Sequence, residues 1–306
     1  MKAIIVCGID TDIGKTYVSG SLLGQLIYNN VKVASYKPVQ TGCESSSIDL
    51  EQQLALATEY CQARNSPKSL NNYLGNSKMC SYIFKTPASP HLAAREEQQD
   101  IKVAKILEDF EQYLNQHYAQ VNLKNLITET YTKLDVLLVE LAGGVLSPVN
   151  DLINNLDLIN LFIAKCKEKE VEVEVVLVTA GKLGSISHTL AALSLLPQVD
   201  KLVYNYSLFA HNKQELDQQI NEDNLNFYLN LQQVARSQKI VADNPLTLEQ
   251  IKELEETDAV KQAYNLVTTY SLKDKYLITN TQLRKNLELS EIKKFLNLNS
   301  LLTNFF

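Results

Sequence analysis

The sequence of 306 residues lacks three features that would each indicate a particular class of protein. Its five cysteines form no C-x-x-C pair, so no zinc site is predicted, and their odd number favours reduced thiols over a disulfide framework. No stretch approaches the ~20 apolar residues of a membrane-spanning helix. Basic residues are not in excess, because 29 lysines and arginines stand against 35 aspartates and glutamates. A nucleic-acid partner, which needs a basic face, is therefore not expected.

The overall composition is that of an ordinary soluble globular protein, with 45% apolar and 21% charged residues. The first apolar run is too short for a signal peptide and leads directly into a Gly-Lys-Thr loop. We therefore expect a cytoplasmic protein with no membrane partner.

Short apolar runs alternate with segments of helical periodicity along the first two thirds of the chain. Five of these runs are predicted to be buried parallel strands: 3–7, 32–36, 136–140, 173–178 and 201–206. Strands that are apolar throughout, rather than alternating, are typical of a parallel sheet covered on both faces. The pattern predicts an α/β fold of three layers, with a mostly parallel central sheet flanked by helices.

The spacing of these runs also predicts the domain organisation. We expect residues 1–245 to form one domain with a long helical insertion at about 49–132, because a connection of about a hundred residues needs structure of its own. Residues 246–306 show helical patterns, and we expect them to form a helical extension packed on the same domain.

The strongest local signal is the segment Gly8-Ile-Asp-Thr-Asp-Ile-Gly-Lys-Thr16, which follows the first predicted strand and opens a predicted helix. In that context, backbone N–H groups and the positive end of the helix dipole hold a polyphosphate. Lys15 would reach the β- and γ-phosphates, and the Thr16 hydroxyl would contact Mg²⁺. The segment predicts a P-loop fold that binds ATP, although five residues separate its glycines instead of the usual four. The predicted nucleotide-binding residues here are Asp12, Ile13, Gly14, Lys15, Thr16 and Tyr17.

Charged residues mark the ends of two further predicted strands. Lys37 follows the second strand, and ligands of open α/β sheets bind outside the carboxyl ends of the strands. Lys37 is therefore expected to face the phosphate loop and to stabilise a transferring phosphoryl group, the alternative being a solvated lysine. Glu140 ends the third strand, where a buried carboxylate is costly unless it is paired or binds a cation. We predict that Glu140 holds Mg²⁺.

Five segments, in this order, resemble motifs of the dethiobiotin synthetase family. They are the phosphate loop, Tyr36-Lys-Pro-Val-Gln-Thr-Gly42, Pro87-Ala-Ser-Pro-His-Leu-Ala-Ala94, Val139-Glu-Leu-Ala-Gly-Gly144 and Lys182-Leu-Gly-Ser-Ile-Ser-His188. The resemblance covers about residues 1–206. It implies an ATP-dependent ligase of biotin biosynthesis, which closes a cyclic urea from 7,8-diaminononanoate and CO2 through a carbamate and a carbamic-phosphoric anhydride.

The resemblance also implies roles for residues outside the nucleotide site. Thr11 and Thr41 would contact the diamine, and Thr11, Lys15 and Lys37 would be the catalytic residues. Asn205 would recognise the adenine ring.

A further substrate contact is implied at the start of a predicted helix. The segment formed by Gly184, Ser185, Ile186 and Ser187 would bind the substrate carboxylate from the neighbouring subunit. This implies a homodimer with its active sites at the interface.

The sequence departs from the family pattern at two positions of the site. The family's second carboxylate for Mg²⁺ falls, in the best ungapped match, on Gln52. Asp49 or Glu51, one turn earlier, could replace it, and we take Asp49 as the candidate, although Asp49 is equally suited to be the N-cap of its helix. Asp12 is a further candidate for the metal or for a contact with a substrate amine. Leu141 stands where the family has glycine.

Three alternative functions are compatible with a phosphate loop. A ligase of the cobyrinate amidase type would carry a glutaminase domain with a Cys/His pair, but no cysteine follows Cys166 and no histidine follows His211. A nucleotide switch of the MinD/ParA type would carry a second lysine early in the loop, and the loop has none before Lys15. A divergent paralogue that binds nucleotide without turnover stays open, because of Gln52 and Leu141.

Overall fold

The structure is a computed structural model that describes residues 1–74, 79–115, 118–120, 130–132, 134–180, 183–205 and 278–279. The predictions made for 206–277 and 280–306, which include most of the C-terminal extension, lie outside these residues. Lys182 of the fifth motif also lies outside them.

Parallel strands form the centre of the molecule. The described strands are β1 (Lys2–Gly8), β2 (Val33–Gln40), β3 (Cys80–Ile83), β4 (Tyr118–Gln120), β5 (Thr130–Thr132), β6 (Val136–Glu140), β7 (Glu172–Ala180), β8 (Lys201–Asn205) and β9 (Ile278–Thr279). The main sheet has the order β3-β2-β6-β1-β7-β8-β9, and each of its described pairings is parallel. Strands β4 and β5 form a separate antiparallel pair. The predicted parallel α/β sheet is therefore confirmed, and each of the five predicted runs overlaps one of its strands.

Helices cover both faces of this sheet. They are α1 (Lys15–Tyr28), α2 (Ile48–Ala63), α3 (Pro90–Glu96), α4 (Val103–Leu114), α5 (Asn155–Glu168) and α6 (Ser185–Leu195), with a short 3-10 helix at Pro67–Asn72. Within β1, Ile4 belongs to the same apolar cluster as Leu22 of α1, whereas Ile5 belongs to the cluster that contains Tyr36 and Phe162 of α5. Because adjacent strand residues point to opposite faces, both must be apolar, which explains the unbroken apolar runs in the sequence.

The span predicted as a helical insertion, 49–132, contains more than helices. It includes α2, α3 and α4, and it also contributes β3, which pairs with β2 at the edge of the main sheet. None of the helices in the described part of the chain has the length and apolarity that crossing a membrane requires.

Helix α2 packs against α1 at two glycines that lie one turn apart. A Cβ atom at Gly20 would lie 3.0 Å from Cα of Gln53, and one at Gly24 would lie 3.0 Å from Cα of Ala57. A backbone atom cannot move aside as the end of a flexible side chain can. The two glycines therefore set the distance between the helices, and with it the position of every side chain that α2 carries.

We expect Gly20→Ala to destabilise the protein, although alanine normally favours a helix interior over glycine by about 1 kcal/mol. Overpacking against the backbone of α2 should cost ~1–3 kcal/mol and outweigh that gain. Urea unfolding measures the change. Glu59→Ala on the exposed side of α2 is the control and should change the free energy of unfolding by less than about 0.5 kcal/mol. A Gly20→Ala variant as stable as the control would contradict this packing.

Candidate active site

The phosphate loop joins β1 to α1 at the carboxyl end of the sheet. Two of its residues have positive φ, with 55° at Asp12 and 91° at Gly14. Gly14 is the N-cap of α1 and offers no side-chain acceptor to the first N–H groups of the helix. These N–H groups and the positive end of the helix dipole form a site for an anion.

Lys15 lies along the inside of this loop. Its side chain is buried, and Nζ donates a hydrogen bond to the carbonyl oxygen of Asp10 at 2.6 Å. Burial lowers the pKa of Lys15 to about 8, although the Glu140 carboxylate opposes that shift. The ammonium group is thus held at the loop by the fold.

A buried cluster of charges lies beside the loop, at the end of β6 and within β2, which continues past Lys37 to Gln40, so the prediction that Lys37 follows the strand was wrong. Lys37 Nζ donates to the carboxylate of Asp49 and, at 3.1 Å, to Oε1 of Glu140. Thr16 Oγ1 donates to the same Oε1 at 2.9 Å. Lys37 is 2% exposed and Glu140 is 1% exposed, so neither charge is balanced by solvent. The alternative of a solvated surface lysine at Lys37 is therefore wrong.

The charges of this cluster hold one another in the ionised state. Burial lowers the pKa of Lys37, but the carboxylates of Glu140 and Asp49 outweigh it and hold that pKa above its ordinary value. Burial raises the pKa of Glu140, but Lys37 and Lys15 outweigh it and leave that pKa below its ordinary value. Glu140 is thus a carboxylate that can accept hydrogen bonds or bind a cation.

Asp49 does not cap its helix. The N-cap of α2 is Ser47, whose Oγ accepts from the N–H of Leu50 at 3.3 Å. Gln40 fixes this end of the helix, because its Oε1 accepts from Ser47 Oγ at 2.7 Å and from the N–H of Asp49 at 3.4 Å. The carboxylate of Asp49 is therefore left to face Lys37.

Gln53 is a member of the cluster that the sequence analysis missed. Its Nε2 donates to Oε2 of Glu140 at 2.7 Å. A signal was present in α2, where the buried positions Gln53, Ala57 and Cys61 recur every four residues. A glutamine on the buried side of a helix needs a polar partner.

The phosphate loop and the charge cluster open onto one cavity of about 540 Å³. That volume is within the usual range for small-molecule sites. Its lining residues are Thr11, Asp12, Gly14, Lys15, Thr16, Tyr17, Lys37, Gln40, Thr41, Asp49, Gln52, Glu140, Ala142 and Gly143. The structure thus brings together most of the residues that the sequence analysis selected. Glu51, the alternative to Asp49, does not line this cavity.

Ile13 and Asn205 lie beneath the loop rather than in the cavity. Ile13 is fully buried among apolar side chains. Asn205, at the end of β8, donates from Nδ2 to the carbonyl oxygen of Ile13 at 3.0 Å. Its Oδ1 is buried and has no hydrogen-bond partner among the described residues.

The segment predicted to bind the substrate carboxylate begins α6. Gly184 is its N-cap with φ 89°, Ser185 is buried, and Gly184 and Ser187 are exposed. None of the four residues from Gly184 to Ser187 lines the cavity of the same chain.

The glycines after β6 lie against the phosphate loop. A Cβ atom at Gly144 would lie 2.9 Å from the carbonyl oxygen of Ile9. Asn155 holds this turn, because its Nδ2 donates to the carbonyl oxygens of Ala142 at 2.6 Å and Gly144 at 2.8 Å. Leu141, where the family has glycine, is buried in the apolar core, so its side chain does not line the cavity.

The donor atoms around the charge cluster suit Mg²⁺, which prefers oxygen ligands. Glu140 and Asp49 already converge on one cation, the ammonium of Lys37, and Thr16 adds a hydroxyl to the same carboxylate. The described residues contain no group of three His, Cys, Asp or Glu side chains that would hold a metal alone. A Mg²⁺ ion bound with a nucleotide needs only one or two carboxylates, because phosphate oxygens and water complete its shell.

We expect Gly144→Ala to weaken nucleotide binding, because the added methyl group would displace the backbone of the phosphate loop at Ile9. Overpacking costs ~1–3 kcal/mol. If this cost destabilises the nucleotide-bound state, the affinity for ADP should fall roughly tenfold or more. Isothermal titration with ADP measures it. Leu146→Ala, at a largely exposed neighbour, is the control. Equal ADP affinity in the two variants would show that Gly144 does not shape the loop.

Comparison with known proteins agrees with this geometry. A family model described as an AAA domain matches residues 2–236. The chain is 34% identical over 208 residues to the ATP-dependent dethiobiotin synthetase BioD 2 of Haemophilus ducreyi, covering 67% of this chain and 82% of that protein. It is 34% identical to the BioD 2 of Haemophilus influenzae, covering 63% and 82%, and 32% identical to that of Pasteurella multocida, covering 74% and 89%.

Among solved structures, similarity is distant. Chloroplast FtsY from Physcomitrella patens is 14% identical, with a TM-score of 0.35 and coverage of 70% of this chain and 52% of that one. A ParA family ATPase from Chlorobium tepidum is 11% identical, with a TM-score of 0.32 and coverage of 87% and 98%. Neither likeness bears on function.

Proposed function

Because the chain belongs to the dethiobiotin synthetase family, we propose that it is an ATP-dependent cyclo-ligase that converts 7,8-diaminononanoate and CO2 to dethiobiotin, with release of ADP and phosphate. The observation that carries this proposal is the meeting of three elements at one cavity. The phosphate loop, Lys37 and Glu140 come from different parts of the chain and face the same space.

The proposed reaction has three steps. One amine adds to CO2 and loses a proton, forming a carbamate. A carbamate oxygen then attacks the γ-phosphorus of ATP as the bond to the ADP oxygen breaks, giving the carbamic-phosphoric anhydride. The second amine attacks the carbonyl carbon, which closes the ureido ring as phosphate leaves and the amine loses a proton.

The site supplies positive charge where negative charge accumulates in these steps. We propose that Lys15 and the N–H groups of the phosphate loop bind the β- and γ-phosphates. Lys37 is proposed to stabilise the carbamate and the transferring phosphoryl group, since its ammonium lies at the cavity and its charge is maintained by the neighbouring carboxylates. The hydroxyls of Thr11 and Thr41, both at the cavity, are proposed to orient the diamine.

Mg²⁺ is proposed to be held by Thr16, Glu140 and Asp49. When bound, it would neutralise the phosphate charge. Asp49 is the better candidate for the second carboxylate than Glu51, because Asp49 lines the cavity and contacts Lys37. Asp12 stays a further candidate on the phosphate loop.

Asn205 is proposed to recognise adenine. Its Nδ2 is engaged with the loop, and its Oδ1, which has no hydrogen-bond partner in the described part of the chain, is an acceptor of the kind that an exocyclic amine needs. We also propose a cytoplasmic location, in keeping with five cysteines that all carry free thiols.

Lys37→Met tests the assignment of the cation. Methionine keeps the length of the side chain but removes the charge, so dethiobiotin formation should fall roughly a hundredfold or more, by analogy with the loss of one transition-state donor. Product is measured by mass spectrometry with ATP, bicarbonate, diaminononanoate and Mg²⁺. ADP affinity should be largely retained, since Lys15 and the loop carry it.

Lys85 offers a matched control, because Lys85→Met makes the same change at a side chain that is exposed to solvent. Product formation by Lys37→Met at the rate of that control would remove Lys37 from the mechanism. A wild-type protein that binds nucleotide but forms no dethiobiotin would instead be the divergent paralogue.

A homodimer is proposed because the start of α6 is exposed and lies outside the cavity of its own chain. The first N–H groups of a helix favour a carboxylate. We propose that Gly184, Ser185, Ile186 and Ser187 of a second copy bind the carboxylate end of the substrate.

Mixing two inactive variants tests this arrangement. Ser187→Asp places a negative charge against the substrate carboxylate and should abolish activity, whereas Ser194→Asp at the other end of α6 should not. When the Ser187→Asp protein is mixed with the Lys37→Met protein, activity should return. Half of the dimers are then mixed and each mixed dimer has one intact site, so about a quarter of all sites are active. A mixture that stays inactive although native mass spectrometry detects mixed dimers would show that α6 does not act across the interface.

A further inference from the structure

Gln53 is a buried polar side chain in contact with the charge cluster, at 1% exposure. It lies on the inner side of α2, at the point where Gly20 of α1 allows the two backbones to approach. Its Nε2 donates to Oε2 of Glu140 at 2.7 Å. This residue lines no part of the cavity, so a direct contact with substrate is not its role.

The orientation of the Gln53 amide follows from the charge of its partner. Glu140 is ionised and can only accept, so the amide must present N–H to it. The amide oxygen is then left buried, without a hydrogen-bond partner among the described residues. Such an unpaired acceptor is unfavourable, whereas an apolar side chain of similar size would leave none. The donated N–H is therefore the feature that distinguishes glutamine from an apolar residue at this position.

The two oxygens of Glu140 have different partners. Oε1 accepts from Thr16 and Lys37, which both line the cavity, and Oε2 accepts from Gln53. A carboxylate held at one oxygen cannot rotate about its last bond without breaking that hydrogen bond. Gln53 thereby keeps Oε1 directed towards the cavity.

We propose that Gln53 is a positioning residue, which fixes the Glu140 carboxylate in the orientation that binds Mg²⁺ together with a nucleotide. This inference rests on the proposed function, since it takes Glu140 as a metal ligand. Hydrogen bonds to metal-binding carboxylates orient them and raise metal affinity in general. Here one helix acts on both acids, because α2 carries Asp49 and also braces Glu140 through Gln53.

Two substitutions remove the hydrogen bond in different ways. Gln53→Met keeps the length of the side chain and loses the donor, whereas Gln53→Asn keeps the amide but is one methylene too short to reach Glu140. In both variants, the factor by which Mg²⁺ raises the affinity of the protein for a non-hydrolysable ATP analogue should fall roughly ten- to a hundredfold. Affinity in EDTA should not change. Isothermal titration of the full chain measures both values.

Gln62→Met is the matched control, because Gln62 is an exposed glutamine of the same helix. It should keep the wild-type response to Mg²⁺. In a Glu140→Gln background, adding Gln53→Met should cause no further loss, because the carboxylate that it positions is gone.

Three results would overturn the inference. They are a wild-type Mg²⁺ response in Gln53→Asn or Gln53→Met, an equal loss with and without Mg²⁺, and an undiminished effect of Gln53→Met in the Glu140→Gln background. Thermal unfolding verifies that each variant is folded. The proposed function fails separately, if the wild-type protein shows the Mg²⁺ response but forms no dethiobiotin.

Discussion

The contact between Lys37 and Glu140 ties the centre of the sheet to the site. Glu140 ends β6, and Lys37 lies within the neighbouring strand β2, just beyond the last residue that pairs with β6. Both are almost completely removed from water. A buried charge without its partner costs several kcal/mol, so each residue is tolerable only because of the other. Thr16 from α1 and Asp49 from α2 complete the set, and a displacement of either helix would leave a charge or a donor unsatisfied.

The position of α2 is therefore as important as that of the phosphate loop. It depends on the absence of side chains at Gly20 and Gly24, which allows backbone to approach backbone. The loop itself is supported in a similar way, by Gly144 on one side and by Asn205 beneath it. Close approach at these points holds the anion-binding groups in place before any ligand binds, which reduces the entropy lost on binding.

The parts of the fold that the sequence predicted are those with a local signal. Long apolar runs predicted the central strands, and a parallel sheet brings their carboxyl ends to one edge, so Lys37 and Glu140 could be expected near the phosphate loop. Strand β3 gave no such signal, because Cys80–Ile83 has only four residues and is half-buried at a sheet edge. Its place became evident only from its pairing with β2.

The sequence by itself determined the phosphate loop, the apolar strands and the charged residues near their carboxyl ends, since each depends on residues that are close in the chain. Only the tertiary structure showed that Ser47 and not Asp49 caps α2, and only it revealed Gln53. Gln53 and Glu140 are 87 positions apart. Their hydrogen bond exists because two helices pack closely at glycines, and no local pattern encodes the distance between two helices.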